Sequence, residues 1–360
     1  MIRYLKLIVT VGIAAFLALS PPWILDGLAR GEYRAYWARP VTQWHGKIEL
    51  WHVAGFRAYQ GSVTTYLEAR ADAYCKRHPG VHIEVTGLTP ERFHDRMARG
   101  VFPDAYSFPS GLLYAERLRD MPFGEAAFRG ALAPAVVEGA VYAVPYLLSG
   151  YCLAVNTQRL AQCGDEMPET ADAAFLQRAL SDAAGRGLSI PPVLGARLAL
   201  SGEPAESAAF TKGNALAAVL DARAYGDLVR GKNASLLLDA VPCAPYSDEV
   251  LYLGAAADAD DKRAEIVADF AAYLLSEEEQ HRLSGLGALP VVETETPVQY
   301  ADAFLSALNE AYASPAVPEP FALERHGEAL TEEAADAMRG DDAARTSFFE
   351  RMAVVERGLF

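Results

Sequence analysis

Aromatic side chains, most of them with polar tips, recur along this 360-residue chain where predicted strands end and loops begin. Such rings stack on the flat face of a sugar and hydrogen-bond its rim, although any single aromatic residue is more often part of a core. Their recurrence at strand ends agrees with the rule that open α/β sheets bind ligands beyond the carboxyl ends of their strands. The positions are Trp51, Phe56, Tyr59, Phe108, Tyr146, Tyr151, Tyr225 and Tyr246.

Residue patterns typical of catalysis are missing from the sequence. There is no Gly-x-Ser-x-Gly, no phosphate-binding glycine loop and no His-Glu-x-x-His. His45 and His52 lie seven residues apart, so in an extended strand they project to opposite faces and do not chelate one ion. The segment "DADDKRAEIVAD" lacks the glycine of a calcium loop and is interpreted as a solvated, helix-capping loop. We therefore expect no enzyme activity, no cofactor and no metal site, with an exported hydrolase that uses paired carboxylates as a minor alternative.

Composition narrows the class of partner. The formal net charge is −15 and 51% of the residues are hydrophobic, which is typical of a folded globular protein. A nucleic-acid-binding protein needs a basic face, so the acidic balance predicts no nucleic-acid partner. The length is sufficient for two lobes or domains.

The N-terminus has the pattern of a targeting element. Arg3 and Lys6 precede an apolar run over residues 7–19, and two prolines stand where a signal peptidase would cut. Residues 1–30 are therefore predicted to be either a signal peptide or a retained transmembrane anchor, and residues 31–46 a linker. No cysteine follows the run, which excludes a lipid-modified N-terminal cysteine. In both cases the remaining chain is expected to lie outside the cytoplasm.

The four cysteines do not define a disulfide framework by themselves. They are Cys75, Cys152, Cys163 and Cys243, and none forms a Cys-x-x-Cys pair. In an exported chain an even number permits disulfides, with Cys152 and Cys163 the closest pair in sequence. Buried thiols that act as small apolar residues are the other interpretation.

The segment order from Lys47 onward predicts strands that alternate with helices. "KIELWHVAGF" reads as a strand, and the helical pattern that follows ends at His78-Pro79-Gly80. "VHIEVTGL" alternates as a second strand, and Thr89 caps a helix with Pro90 at its first position. "FPDAYSFPSG" gives a third strand. Strands separated by single helices indicate a parallel sheet and an α/β fold.

These segments, in this order, resemble the extracellular solute-binding proteins of sugar-type ABC transporters, the maltose-binding-protein family. "KIELWHVAGF", "KRHPGVHIEVTG" and "FPDAYSFPSG" are similar to the opening of that family's first lobe. "GAVYAVPYLLSGYCLAVNTQRL", "FTKGNALAAVLDARAYGDLV" and "AEIVADFAAYLLSEEEQHRLSGLGALPV" are similar to its later blocks. The resemblance covers about residues 45 to 295.

The resemblance implies a two-lobe periplasmic-binding-protein-like fold of type II, whose cleft closes on a carbohydrate by hinge motion. Lobe I is expected from 45–108 plus 250–295, and lobe II from 112–245 plus 300–360. The implied partners are a small-molecule ligand, ABC permease subunits, and the membrane through the N-terminal helix. The expected ligand-binding residues are Trp51, Tyr59, Ser107, Ser110, Tyr146, Tyr151, Arg223 and Tyr225.

Two departures from the family pattern qualify this expectation. Asp221-Ala222-Arg223 stands where the family has Gly-Pro-Trp, so an arginine replaces a stacking ring. Arg223 is interpreted either as a partner for an anionic group or a sugar hydroxyl, or as one half of an inter-lobe salt bridge. The second lobe is also short. An alternative is therefore a degenerate binding-protein fold that serves as a membrane-anchored sensor or scaffold for a partner protein.

Overall fold

Two β-sheets with flanking helices make up most of the part of the chain that the computed structural model describes. That part comprises residues 44–109, 112–113, 115–123, 128, 135–137, 139–169, 171–180, 187–231, 237–243, 246–247, 249–312, 317–318 and 327–356.

The strands are β1 Gly46–Val53, β2 Val81–Leu88, β3 Ala105–Pro109, β4 Ala135–Val137, β5 Ala140–Leu148, β6 Tyr151–Asn156, β7 Leu188–Ser189, β8 Ala217–Asp221, β9 Leu238–Pro242, β10 Tyr246–Ser247, β11 Val250–Ala255 and β12 Val317–Pro318. The α-helices are α1 Val63–Arg77, α2 Pro90–Ala98, α3 Thr157–Cys163, α4 Ala173–Leu180, α5 Pro192–Arg197, α6 Ser207–Thr211, α7 Ala222–Arg230, α8 Asp261–Leu274, α9 Glu277–Arg282, α10 Ala303–Ala311, α11 Gly327–Met338 and α12 Asp342–Glu356. Short 3-10 helices cover Ala115–Arg117 and Leu283–Leu286.

The predicted opening of the fold is confirmed. β1 pairs in parallel with β2 and β3, and α1 and α2 are the intervening helices. The Thr89 side chain caps α2 by accepting from the Arg92 amide at 3.4 Å, with Pro90 at the first helical position. Proline does not destabilise the helix at this position, because a backbone amide at the first helical position has no hydrogen-bond partner within the helix.

The first sheet extends further than the sequence division assumes. Its strand order is β2-β1-β3-β11-β5-β4. β11 runs antiparallel to β3 on one side and to β5 on the other, and all of its residues are buried. Strand β5, residues 140–148, therefore belongs to the first sheet, because it pairs with the free edge of β11. The division predicted from the sequence assigns this range to lobe II.

The chain leaves the first sheet at Ser149 and Gly150. The Ser149 amide donates to the Glu249 carbonyl at 2.8 Å, and the Gly150 carbonyl accepts from the Ala222 amide at 3.0 Å. A Cβ atom on Gly150 would lie 2.7 Å from the ring of Tyr312. Only a residue without a side chain therefore fits the crossing point.

The second sheet has the order β7-β8-β6-β9 and a core of its own. The two C-terminal helices pack on that core through Leu330, Met338, Phe348 and Met352, all of which are buried. Helices α11 and α12 therefore share one core with the second sheet.

A buried glutamine ties three segments around the first sheet. The Gln280 side-chain amide donates to the Tyr146 carbonyl at 3.0 Å and to the Leu274 carbonyl at 2.9 Å. Its oxygen accepts from the Val291 amide at 2.8 Å. Three bonds satisfy a fully buried polar side chain, which explains the glutamine at this position.

The acidic loop before α8 is a helix cap, as predicted. The Asp260 side chain accepts from the Arg263 amide at 2.9 Å, and the helix dipole favours a carboxylate there. The predicted apolar face is present, since Ile266, Phe270 and Leu274 are buried.

A row of three polar side chains lies inside the first sheet. His52 Nδ1 is 2.9 Å from Ser107 Oγ, which is 2.8 Å from Tyr146 Oη. All three residues are buried. Burial lowers the pKa of His52 to about 4, because the charged imidazolium cannot be solvated there. The His52 ring is therefore neutral in the folded protein near pH 7.

Among the described residues no helix combines the length and apolar character that a membrane crossing requires. The predicted N-terminal helix, residues 1–30, lies outside those residues.

Substitution of Gly150 by alanine tests the crossing point. We expect G150A to lower the free energy of unfolding by about 1–3 kcal/mol, because the new methyl group overlaps the Tyr312 ring. Urea denaturation of the purified protein measures this change. G285A is the matched control, since a Cβ there meets nothing within 4 Å, and equal losses in both variants would contradict the packing argument.

The buried histidine predicts a pH dependence of stability. Its folded pKa lies below the unfolded value of about 6.5, so its contribution is complete above pH 6.5 and is lost as the pH falls toward 4. The full effect is about 3 kcal/mol. We expect H52N, which keeps a polar atom for Ser107, to lose less stability than the parent between pH 7 and pH 4.5 in thermal melts.

H82N serves as the control, because His82 is exposed on the neighbouring strand. Parallel pH profiles for H52N and the parent protein would show that His52 does not contribute to acid destabilisation.

Candidate functional site

Three of the eight predicted site residues meet at one place. Tyr59 follows β1 in the segment that leads to α1, whereas Arg223 and Tyr225 lie in the first turns of α7. They contact one another together with three residues that sequence reasoning missed, Arg230, Asp302 and Phe304. We call these six residues the Tyr59 cluster.

Local structure fixes Tyr59 from the side of the first sheet. The Gln60 amide donates to the Leu286 carbonyl at 3.0 Å, next to the backbone of Gly287. Gly287 has φ +64°, and a Cβ atom on it would lie 2.7 Å from the Tyr59 Cβ. The turn therefore requires glycine for its conformation and for the close approach of Tyr59.

Helix α7 presents two arginines on the face that meets Tyr59. Asp221 caps the helix by accepting from the Ala224 amide at 2.6 Å. Arg223 and Arg230 are seven residues apart, which is about two helical turns, so they share a face. Gly226 lies between them, and a Cβ there would be 2.7 Å from the Tyr59 ring. The helix surface is thus hollowed where the ring packs.

Both arginines donate to the same backbone oxygen. The Tyr59 carbonyl accepts from Arg230 Nη2 at 2.7 Å and from Arg223 Nη1 at 3.4 Å. The Arg230 guanidinium also lies over the Tyr59 ring, 4.1 Å from its centroid, which is a cation–π contact. Asp227 is the anionic partner within α7, 3.0 Å from Arg223 Nε.

The Tyr59 hydroxyl is held from a third element. It donates to Asp302 Oδ2 at 2.5 Å, while Asp302 Oδ1 accepts from the Phe304 amide at 2.9 Å and caps α10. Burial, followed by the hydrogen bond to Asp302, raises the pKa of Tyr59 to about 12. The phenol is therefore protonated at physiological pH and acts as a donor.

Aromatic rings complete the cluster. The centroids of Tyr225 and Phe304 are 4.5 Å apart, and those of Tyr59 and Phe304 are 6.4 Å apart. Burial raises the pKa of Tyr225 to about 12. Tyr225 and Phe304 are only partly buried, so this side of the cluster has apolar surface near polar tips, a combination suited to sugar rings.

Three other predicted site residues lie in the core. Trp51 is 0% exposed and packs edge-on against Phe93 and Tyr106 with centroids 6.3 and 6.4 Å away. Its indole nitrogen donates to Glu49 Oε1 at 2.8 Å, and the Arg96 guanidinium lies 5.0 Å from its ring. In this conformation Trp51 therefore offers no free face to a ligand.

Ser107 and Tyr146 belong to the buried row with His52 described above, so their polar atoms bond to each other rather than line a surface. Tyr151 is partly buried against the second core, and its amide donates to Tyr312 Oη at 3.2 Å. Ser110 lies outside the described residues.

Cysteines and metal-binding groups were also considered as site chemistry. All four cysteines are free thiols, with Cys152 and Cys243 buried. Cys152 and Cys243 thus match the interpretation of buried thiols that act as small apolar residues. No group of three or more His, Cys, Asp or Glu side chains within the described ranges is arranged to hold a metal ion.

The comparisons with known proteins identify the fold. No family model matches the sequence, and no curated protein matches it either. Many solved structures do match. One is the cyclic alpha-maltosyl-1,6-maltose binding protein from Arthrobacter globiformis, with 15% identity and a TM-score of 0.65 over 88% of this chain and 99% of that chain.

Two further matches agree with it. The GacH receptor of Streptomyces glaucescens has 17% identity and a TM-score of 0.57, covering 88% of this chain and 99% of that one. The sugar-binding protein MalE from Xanthomonas citri has 14% identity and a TM-score of 0.60, covering 86% and 97%. The chain therefore has the mixed α/β fold of the sugar-binding proteins of this type.

Proposed function

We propose that this chain is an extracytoplasmic solute-binding protein that captures a carbohydrate or similar small solute for an ABC permease, without catalysis. The observation that carries the proposal is the Tyr59 cluster, in which a loop of the first sheet meets a helix that follows a strand of the second sheet. The shared fold supports it. The match covers 97–100% of the length of each of the three solved structures named above and of a fourth from a study of xylan utilization.

The two sheets supply the two lobes of the proposal. Lobe I is built on the six-stranded sheet and includes β4 and β5, and lobe II is built on the four-stranded sheet with α11 and α12. The crossing at Ser149 and Gly150 is one of the connections about which the lobes would turn. Ligand would close the cleft by exchanging water for contacts with both lobes.

Delivery to a permease and attachment to the membrane complete the proposal. One neighbour is described as the binding protein of an ABC transporter for galacto-N-biose and lacto-N-biose. Residues 1–30 would export the chain and, if retained, tether it to the membrane.

A second candidate function is the membrane-anchored sensor or scaffold. It is favoured by one observation: Tyr59 is only 3% exposed, since the cluster is filled by the chain's own residues. Such a protein would dock a partner and bind no sugar. Affinity capture of the full chain from membranes distinguishes the two, since recovery of permease subunits supports transport and recovery of a kinase or assembly protein without them supports the scaffold.

A thermal-shift screen tests the carbohydrate-binding function. Maltose, chitin oligosaccharides and lacto-N-biose are suitable first probes, because solved neighbours bind related sugars. A ligand that binds only the folded state, present at 100 times its Kd, stabilises that state by about 2.7 kcal/mol, which raises the Tm by roughly 4 °C. If no saccharide in a broad panel raises the Tm, the proposed function is wrong.

Titration calorimetry with a hit from the screen tests the site. We expect Y225A to weaken binding about tenfold, since an aromatic contact contributes about 0.5–1.5 kcal/mol. F102A is the control, because it removes an aromatic ring that is 37% exposed and lies outside the cluster. Equal affinities for Y225A and F102A would remove Tyr225 from the ligand site.

A further inference from the structure

Two arginines converge at the Tyr59 cluster of an acidic protein. The chain has 47 Asp and Glu against 32 Lys and Arg. The cluster nevertheless contains Arg223 and Arg230, and Arg57 precedes Tyr59 by two residues. Arg57 is exposed and forms no hydrogen bond or ion pair with a described residue. Asp227 and Asp302 are the carboxylates that bond to members of the cluster.

Both carboxylates already have hydrogen-bond or ion-pair partners. Asp227 bonds to Arg223 and lies 4.0 Å from Arg230 Nη2. Asp302 accepts from the Tyr59 hydroxyl and from the α10 amide. Neither carboxylate occupies the point on which both arginines converge.

That point is occupied by a neutral atom, the carbonyl oxygen of Tyr59. A guanidinium gains a charge–charge attraction and bidentate geometry from a carboxylate or phosphate, which a neutral carbonyl oxygen does not supply. A carbonyl oxygen satisfies the donors but does not neutralise them. An anionic oxygen at the same point would both accept the hydrogen bonds and neutralise the arginines. A charged ligand group would therefore be a better acceptor at this point than the Tyr59 carbonyl.

Tyr59 lies on a segment without regular secondary structure. Residues 54–62 between β1 and α1 have no helix or strand. The backbone there is held by the Ala54 amide on the Leu88 carbonyl, by Gln60 on the Leu286 and Gly285 carbonyls, and by the two arginines on the Tyr59 carbonyl. Gly226 leaves a hollow in α7 when the Tyr59 ring moves away. A ligand that reaches both arginines would therefore displace the Tyr59 carbonyl and break the bond from the Tyr59 hydroxyl to Asp302.

We propose that the ligand is an anionic saccharide whose negatively charged oxygen replaces the Tyr59 carbonyl between Arg223 and Arg230. The rings of Tyr225 and Phe304 then contact the sugar. This inference rests on the proposed solute-binding function and specifies its ligand class. A uronate carboxylate and a sugar phosphate carry the same chemistry, and the experiment separates them.

Calorimetric titration of the full chain with charged and neutral pairs tests the inference. One arm compares digalacturonate with galactobiose, and the other compares maltose 1-phosphate with maltose. We expect one charged sugar to bind at least tenfold tighter than its neutral counterpart at 20 mM NaCl. Its affinity should fall as salt rises to 500 mM, because the contact is between charges, whereas that of the neutral sugar should not.

Variants locate the effect. R223Q and R230Q should each reduce the preference for the charged sugar about tenfold, and R230K, which keeps the charge, should retain part of it. R339Q removes the same charge from an arginine paired with Asp336 outside the cluster and should bind as the parent does. Circular dichroism of each variant shows whether it is folded, and R230K keeps the test valid if R230Q is not.

The outcomes are distinct. Equal or tighter binding of the neutral sugars, or an unchanged preference in folded R223Q and R230Q, overturns this inference and leaves the carbohydrate-binding function standing. Absence of binding by any saccharide, charged or neutral, overturns both.

Discussion

The antiparallel pairing of β11 with both β3 and β5 is the interaction on which the rest of the structure depends. This strand, residues 250–255, is buried along its whole length and joins two parts of the chain that lie far apart in sequence. A strand with partners on both edges cannot shift its register without breaking two ladders. The end of β1 is therefore held at a fixed place relative to the crossing at Gly150.

Much of the first half of the fold could be predicted from local patterns. The β1–α1–β2–α2–β3 order follows from period-two strands, a proline-glycine stop and the Thr89 cap, all of which act over a few residues. The assignment of β5 to the second lobe was wrong because strand partners are chosen over long distances. Two similar apolar runs on either side of Ser149-Gly150 give no local signal of which sheet each will join.

The candidate site was predictable only in part. Tyr59, Arg223 and Tyr225 came from residue type and a departure from the family pattern. Arg230 could have been found from its seven-residue spacing to Arg223, which places both on one helix face. Asp302 and Phe304 had no signal, because their role depends on where α10 docks. Trp51 shows why residue type alone does not decide the role: a large ring at a strand end is as suitable for core packing, where Trp51 lies, as for a ligand.

Gly226 has a consequence for the balance between conformations. Because Gly226 has no side chain, the Tyr59 ring packs directly against α7. The residue at this position therefore affects the stability of the conformation in which Tyr59 contacts Arg223 and Arg230. The apparent affinity of a ligand falls by the fraction of molecules in the competent state. Side-chain volume at residue 226 would therefore tune the working concentration range of the protein by displacing Tyr59 and Arg230, which a Cβ there would meet at 2.7 and 2.5 Å.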